Sequence, residues 1–304
     1  MAFHISWSLV LLAAFSVTAR ASEKFLLISA AETNRISYLK LPDDDEEIES
    51  PRFLIVDGLI YPQGLAVDLV KDRQWLYVAD PMLQKLVRYP LTYWRGGLEV
   101  GAMETFVDHV EVRAVAVDTH GNVFFTDEPN QRVMKVRAGS TEPEVVASAE
   151  DSSGIVSAPG GVATDNYFVY WTNKLFGTDM GTLIRAPASD SSMSPSVVSN
   201  NSQKCYGVAV GNTNFYYTDD TRHLYSIHRS DTEVVTVSSE FKAPRGLAFD
   251  GVNLMYVADK QLHGVYRFTV PNGKPESDTR MTKVADMQGA YALAFVEIYD
   301  RDIN

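Results

Sequence analysis

Short runs of apolar residues, interrupted by polar positions at close to every second place, recur along this chain. The most regular run has six copies, which are GLAVD from Gly64, AVAVD from Ala114, GVATD from Gly161, GVAVG from Gly207, GLAFD from Gly246 and ALAFV from Ala292. Successive copies begin 39 to 50 residues apart. Short alternating runs predict β-strands, and a period of about 40–50 residues is typical of a repeat that contains four strands.

Three further strand-like runs follow the first one in most repeats. The second run is aromatic or β-branched and has five copies: LYVAD from Leu76, VFFTD from Val123, VYWTN from Val169, FYYTD from Phe215 and MYVAD from Met255. The third alternates and carries basic residues, as in KLVRYPL from Lys85, and the fourth is short, as in Val145-Val146. Turns such as His120-Gly121-Asn122 leave no room for crossover helices, so the pattern predicts an all-β meander.

The two ends of the chain complement each other. The last repeat, at Ala292, has a first strand but lacks the other three, whereas the N-terminal region begins with FLLISA from Phe25, RISYLKL from Arg35 and RFLIVDG from Arg52. These three segments match the missing strands. We therefore predict an all-β, six-bladed β-propeller whose last blade combines a C-terminal inner strand with three N-terminal strands, because this closure removes exposed sheet edges.

The second runs resemble the YWTD repeats of low-density-lipoprotein-receptor class propellers, and VYWTN from Val169 is nearest to the full motif. The PxGLAxD segments that begin at Pro62 and Pro244 are shared with the wider six-bladed group of NHL-repeat and gluconolactonase-like proteins. The resemblance covers residues 25–298. It implies a six-bladed propeller but leaves the function open, because these folds host receptors, lactonases, esterases and lyases.

The first 21 residues have the pattern of a secretory signal peptide. An apolar run from Leu9 to Val17 precedes Ala19-Arg20-Ala21, which has small residues at both positions of a cleavage site. We therefore expect a secreted protein with a signal peptide at residues 1–21 and a single propeller domain at residues 22–304. The sequon at Asn200 is compatible with an N-glycan in a secreted protein.

The composition limits the classes of partner. With 27 Lys and Arg against 39 Asp and Glu, the formal net charge is −12, which argues against nucleic acid as a partner. No segment after the leader is long and apolar enough to span a membrane. Cys205 is the single cysteine of the chain, and we expect it to be a small buried residue. The protein is expected to be a monomer.

The ligand site is expected in the funnel that surrounds the propeller axis, where the inner strands begin. The positions at these six strand starts are Gln63, Arg113, Gly160, Tyr206, Arg245 and Ala290 or Tyr291. An insertion around Phe176 lengthens a loop on the same face and is a candidate lip over a bound ligand. The candidate ligand-binding residues are therefore Gln63, Arg113, Tyr206, Arg245, Tyr291 and Phe176.

A catalytic alternative is a metal-dependent hydrolase or lactonase. Gluconolactonase-like propellers hold a divalent cation with Asn or Asp near the axis, and a hard cation needs several oxygen ligands at about 2.0–2.6 Å. Here Gln63, Gly160 and Arg245 occupy the corresponding positions. The histidines that could reach the funnel lie on different loops without metal-ligand spacing and are His109, His223 and His263. We therefore expect no metal, no other cofactor and no catalytic residue.

The two arginines favour a binding function. Arg113 and Arg245 lie three repeats apart and so on opposite sides of a six-bladed ring, where guanidinium groups suit a carboxylate and nearby tyrosines add stacking area. Each arginine could instead pair internally with an acid that ends a second strand. Those acids are Asp80, Asp127, Asp219 and Asp259. Because the acids recur in most repeats, we expect them to be structural.

These patterns predict a secreted, non-catalytic propeller that binds a protein or a small anionic ligand on its funnel face. The metal-dependent hydrolase or lactonase is the alternative, and a structural protein without a saturable ligand is a third. The acidic stretch from Asp43 to Glu47 is expected to be a solvated loop away from the funnel.

Overall fold

A computed structural model describes residues 22–42, 48–70, 73–94, 96–151, 155–174, 181–189 and 194–299. The predicted signal peptide, the acidic stretch at 43–47 and Phe176 lie outside the described residues. Over the described ranges, the chain forms six antiparallel sheets and one 3₁₀ turn, Ala31–Thr33. The predicted six-bladed β-propeller is confirmed.

The strands of the N-terminal half follow one another with short connections. In chain order they are β1 (Ser22–Ala30), β2 (Arg35–Leu41), β3 (Arg52–Ile55), β4 (Leu65–Val70), β5 (Arg73–Asp80), β6 (Lys85–Trp94), β7 (Gly97–Val100), β8 (Glu104–Asp108), β9 (Val112–Val117), β10 (Val123–Asp127), β11 (Arg132–Val136) and β12 (Pro143–Ser148). Strands β4 to β8 form blade 1, and β9 to β12 form blade 2.

The C-terminal half repeats the four-stranded unit three times and ends with one long strand. Its strands are β13 (Pro159–Thr164), β14 (Phe168–Asn173), β15 (Gly181–Pro187), β16 (Ser196–Ser202), β17 (Cys205–Val210), β18 (Asn214–Asp219), β19 (Leu224–His228), β20 (Val234–Ser238), β21 (Pro244–Phe249), β22 (Leu254–Asp259), β23 (Gly264–Thr269), β24 (Thr282–Asp286) and β25 (Ala290–Tyr299). Blades 3, 4 and 5 begin at β13, β17 and β21.

Blade 6 joins the two ends of the chain, as predicted. Its sheet order is β25-β1-β2-β3, and β25 pairs antiparallel with β1 in a register that places Leu26 opposite Phe295. The inner strands contact one another in the closed order β4, β9, β13, β17, β21, β25 and back to β4. The inner edges of the six sheets therefore surround one axis.

Blade 1 contains an additional strand that the sequence did not indicate. The segment around Tyr93 and Trp94 extends β6 and turns back as β7. The extension forms because Leu91 and Leu98 are buried in the core shared by blades 6 and 1. Strand β8 then pairs with the first half of β6.

The core lies between neighbouring blades. One cluster packs Phe124 and Val133 of blade 2 against Val162 and Trp171 of blade 3, and similar clusters fill the other interfaces. The aromatic positions of the second strands supply large side chains to these interfaces; Trp171, for example, is fully buried. Burial of this apolar area is the main stabilising contribution to the ring.

The acid that ends a second strand holds the funnel loops in place. Asp80 is 0% exposed, and its carboxylate accepts hydrogen bonds from the backbone N–H of Ile60 (2.7 Å) before β4 and of Leu83 (3.1 Å) after β5. Asp259 accepts the equivalent bond from Lys242 (2.7 Å) in blade 5. The expectation that these recurring acids are structural agrees with these contacts, since each carboxylate satisfies several backbone donors.

A hydroxyl one place before the acid joins neighbouring blades. The Thr218 hydroxyl accepts a hydrogen bond from the N–H of Gly207 (2.9 Å) in its own blade and donates to the carbonyl of Arg245 (2.8 Å) in the next blade. Equivalent bridging hydroxyls belong to Ser29, Thr126 and Thr172. Blades 1 and 5 have Ala79 and Ala258 at this position.

We expect Thr218→Val to lower the free energy of unfolding by about 2 kcal/mol. Valine keeps the shape of threonine but removes the hydrogen bond from Gly207 within blade 4 and the hydrogen bond to Arg245 in blade 5, each worth about 1 kcal/mol. Thr218→Ser, which keeps the hydroxyl, should stay within about 1 kcal/mol of the wild type. Chemical denaturation would measure both variants, and equal stability of the valine variant and the wild type would contradict the bridging role.

Cys205 is fully buried at the start of β17 in blade 4, as expected from the sequence. Burial raises the pKa of its thiol to about 12, so the group is a weak nucleophile.

Asn200, the residue of the sequon, is exposed on the outer strand β16 of blade 3. Its glycosylation stays a prediction.

Candidate functional site

A cavity of about 380 Å³, including its open mouth, lies on the axis where the inner strands begin. Its described lining residues come from all six blades and include five of the six predicted site residues: Gln63, Arg113, Tyr206, Arg245 and Tyr291. Phe176 lies outside the described residues, so its expected position over the funnel stays a prediction. The topology thus brings together residues that are up to 228 positions apart in the sequence.

Close packing of backbones narrows the ring at the cavity floor. A β-carbon on Gly207 would overlap the carbonyl oxygen of Arg245 in the next inner strand, and one on Gly161 would overlap the carbonyl oxygen of Tyr206. The glycine that begins these repeats is therefore required for the approach of adjacent strands. This approach sets the position of the side chains at 206 and 245.

Arg113 is held by two acids on one side of the cavity. Its Nη2 lies 2.5 Å from Glu111 Oε1, and its Nε lies 2.5 Å from Glu128 Oε2. The second oxygen of Glu128 lies 2.8 Å from Nζ of Lys174. Glu128 is therefore shared between two cations, one from blade 2 and one from the loop after β14 in blade 3.

Arg245 lies on the other side and is oriented by an aromatic ring. Its Cζ is 3.8 Å from the ring centroid of Tyr206, a cation–π contact. Its Nη1 donates to the carbonyl of Pro244 at 2.9 Å, and its Nη2 is 3.4 Å from Asp220 Oδ1. The side chain is 12% exposed, so the stacked guanidinium is partly desolvated at the cavity wall.

The internal partners of the two arginines differ from those proposed from the sequence. Arg113 and Arg245 do not pair with the strand-end aspartates, because those carboxylates already have other partners. The carboxylates of Asp80 and Asp259, for example, accept hydrogen bonds from loop N–H groups. The pairing acids in the described contacts are Glu111, Glu128 and Asp220. Glu128 and Asp220 each follow a strand-end aspartate by one position, at the start of a funnel loop.

The wall of the cavity is cationic. Its charged side chains, among the described residues, are Arg113, Lys174 and Arg245, whereas their acidic partners are not part of the lining. Burial raises the pKa of Tyr291 to about 12, and burial also raises the pKa of Tyr206. Both phenols are therefore neutral hydrogen-bond donors at neutral pH, which suits an anionic ligand.

Lys174 was not identified from the sequence. It follows Asn173, which ends the second strand of blade 3, and so occupies the position of Glu128 in blade 2 and Asp220 in blade 4. In three consecutive blades, the residue directly after the strand-end acid or amide thus forms an ion pair with a charged side chain next to the cavity. The repeat contains a signal for this position, because Lys174 directly follows the residue that ends a second strand.

The described residues contain no group of three or more His, Cys, Asp or Glu side chains arranged to hold a metal ion. His223 stacks on Tyr225 with ring centroids 5.3 Å apart, and Nδ1 of His263 lies 3.4 Å from the N–H of Gly289. Neither these histidines nor His109 line the cavity.

The described part of the chain contains no helix that is long and apolar enough to cross a membrane.

The chain matches no protein-family model, and no curated protein matches it either. Solved structures do match. A chain from the crystal structure of a nidogen/laminin complex is 17% identical with a TM-score of 0.68, and the alignment covers 90% of this chain and 98% of that one. At this identity the likeness shows the fold alone: a six-bladed β-propeller.

Two lactonase structures give similar results. A gluconolactonase from Xanthomonas campestris is 12% identical, with a TM-score of 0.60 and 91% of both chains covered. A putative 6-phosphogluconolactonase from Bacteroides fragilis is 11% identical, with a TM-score of 0.60, and the alignment covers 90% of this chain and 98% of that chain. Propellers from a protein complex and from lactonases are thus both similar in fold, and the function must be argued from the site.

Proposed function

We propose that this chain is a secreted, non-catalytic binding protein whose funnel binds a carboxylate group. The carboxylate belongs to a small anionic molecule or to an acidic side chain of a protein partner. The observation that carries the proposal is the convergence of Arg113, Lys174 and Arg245 on one cavity, with their acidic partners outside its lining.

The electrostatics of the cavity support an anion. A charged ligand that enters a concave site lined by one sign of charge gains more interaction energy than at an open surface, because the walls exclude water. Arg245 is stacked on Tyr206 and is therefore oriented before a ligand arrives, which reduces the entropy lost on binding. A guanidinium group also offers paired N–H donors that match the two oxygens of a carboxylate.

The hydrogen-bonding groups around the cations support the same ligand class. Gln63 and Tyr291 line the cavity on the blade 1 and blade 6 side, and each has side-chain donors that can reach an anionic oxygen. Binding as the activity agrees with the similarity to a propeller from a nidogen/laminin complex. Secretion rests on the leader pattern at residues 1–21.

The test measures carboxylate binding to the full mature chain by isothermal titration calorimetry. Citrate and a short Asp- and Glu-rich peptide are the two probes, and they distinguish a small ligand from a protein side chain. Arg113→Ala and Arg245→Ala should each weaken binding of the better probe by about 10–100-fold, because a charge-assisted hydrogen bond contributes about 1.5–3 kcal/mol. Arg245→Lys should bind with intermediate affinity, because it keeps the charge but loses the paired donors.

Arg137→Ala is the matched control. Arg137 is also paired with an acid, Glu144, at 3.0 Å, but it is 64% exposed and does not line the funnel. The Arg137→Ala variant should bind the probe with the same affinity as the wild type. Unchanged affinity in both funnel variants, or binding that requires added calcium or zinc and disappears with a chelator, would overturn the proposal.

A further inference from the structure

Lys174 has the surroundings of a reactive amine. Its side chain is 13% exposed and lines the cavity between the two arginines. Its Nζ lies 5.6 Å from the ring centroid of Tyr206, the same ring on which Arg245 stacks. A lysine in such a position is buried, close to other cations and open to a ligand in the funnel.

The charges around Lys174 favour loss of its proton. Burial lowers the pKa of the ammonium; Glu128 opposes this effect, and the positive charges of Arg113 and Arg245 lower the pKa further. Glu128 opposes it only in part because its carboxylate is shared with Arg113. A larger fraction of Lys174 is therefore the neutral, nucleophilic amine at a given pH than for an exposed lysine.

We propose that Lys174 captures a 2-oxo acid as a reversible imine in the funnel. This inference rests on the proposed function, because Arg113 and Arg245 would hold the carboxylate of the same ligand. In a 2-oxo acid the carbonyl carbon is bonded directly to the carboxylate carbon. The amine and a guanidinium must therefore converge on one small volume, as Lys174 and Arg113 do around Glu128.

Each step of the capture can be assigned to Lys174, which lines the cavity, and to its ion-pair partner Glu128. Glu128, 2.8 Å from Nζ, accepts a proton from the ammonium. The free amine forms a bond to the carbonyl carbon, and the carbonyl oxygen takes up the proton from Glu128 to give a carbinolamine. Glu128 then transfers a second proton from nitrogen to the hydroxyl group, which leaves as water. The ammonium and the carbonyl become a protonated imine and one water, without an oxidant or a reductant.

Lys260 provides a matched control within the same protein. Its Nζ pairs with Glu32 Oε1 at 2.9 Å, and its side chain is 25% exposed, so it resembles Lys174 in both pairing and burial. Burial lowers its pKa, but hydrogen bonds with Glu32 and Tyr61 raise the pKa overall. Lys260 does not line the cavity, and we expect it not to react.

The experiment incubates the full mature chain with pyruvate and sodium cyanoborohydride at neutral pH, and locates reduced adducts by peptide mass spectrometry. Labelling at Lys174 should exceed labelling at Lys260, because burial and the nearby arginines lower the pKa of Lys174, whereas the pKa of Lys260 is raised. Lys174→Met should remove the adduct, and Lys260→Met should retain it. Lactate, which keeps the carboxylate but lacks the carbonyl, should bind without forming an adduct.

The outcomes separate this inference from the proposed function. Binding of pyruvate and lactate in calorimetry without an adduct at Lys174, or equal labelling of many lysines, would overturn imine capture and leave carboxylate binding intact. Binding of neither compound, nor of citrate or the acidic peptide, would overturn both. The thermal unfolding temperatures of Lys174→Met and Lys174→Arg show whether each variant is folded. Absence of the adduct from a folded Lys174→Arg variant supports capture by the amine.

Discussion

Replacing Asp80 with alanine is expected to lower the free energy of unfolding by about 4 kcal/mol. The carboxylate is fully buried and accepts hydrogen bonds from the N–H groups of Ile60, Tyr61, Met82 and Leu83. Its removal leaves several backbone donors without an acceptor in a site that water cannot fully replace, and each such group costs about 1–3 kcal/mol. Urea denaturation followed by tryptophan fluorescence would measure the loss.

Two variants make this result specific. Asp80→Asn keeps one acceptor oxygen and the size of the side chain, and it should lose about half as much stability. Asp286→Ala removes an acid that is 91% exposed and paired with Lys283, and it should change stability by no more than about 0.5 kcal/mol. If Asp80→Ala were as stable as Asp286→Ala, the strand-end acids would not hold the funnel loops.

Gly207→Ala is expected to destabilise the protein by about 3 kcal/mol and also to weaken carboxylate binding. The new methyl group would overlap the carbonyl oxygen of Arg245, so β17 and β21 must move apart, and overpacking of this kind costs about 1–3 kcal/mol or more. The movement displaces Arg245 from its position over Tyr206. Denaturation measures the first effect, and calorimetry with citrate measures the second.

Gly273→Ala is the control for this substitution. Gly273 has no left-handed backbone conformation, and no atom lies within 4 Å of an added β-carbon. Its stability and citrate affinity should be close to those of the wild type. Wild-type behaviour of Gly207→Ala would instead mean that the inner strands are farther apart than the structure places them.

The repeat positions and the site positions are different residues in this propeller. The aspartate and the bridging hydroxyl that recur from blade to blade form hydrogen bonds with backbone groups. The recurring glycine packs closely against the backbone of the next inner strand. The charged groups of the funnel, such as Arg113, Lys174 and Arg245, occur once each at positions that vary among blades. A motif that recurs in every repeat therefore describes the ring, and the ligand is determined by the residues that depart from it.

The internal repeat by itself predicts the fold of this chain. Six copies of one strand pattern, together with complementary chain ends, predict a closed ring of six sheets, because ring closure removes the sheet edges that an open array would expose. The same alignment placed Gln63, Arg113, Tyr206, Arg245 and Tyr291 at the axis, since all of them begin inner strands.

The tertiary structure decided which charges meet. Arg113 pairs with Glu111 and Glu128, and Glu128 also pairs with Lys174; none of these contacts follows from spacing along the chain, because the partners lie on different loops or depend on side-chain direction. The reactivity inferred for Lys174 depends on its burial and on cations from neighbouring blades. This burial and these charge contacts arise only when the ring closes and excludes water. They therefore cannot be predicted from the local sequence.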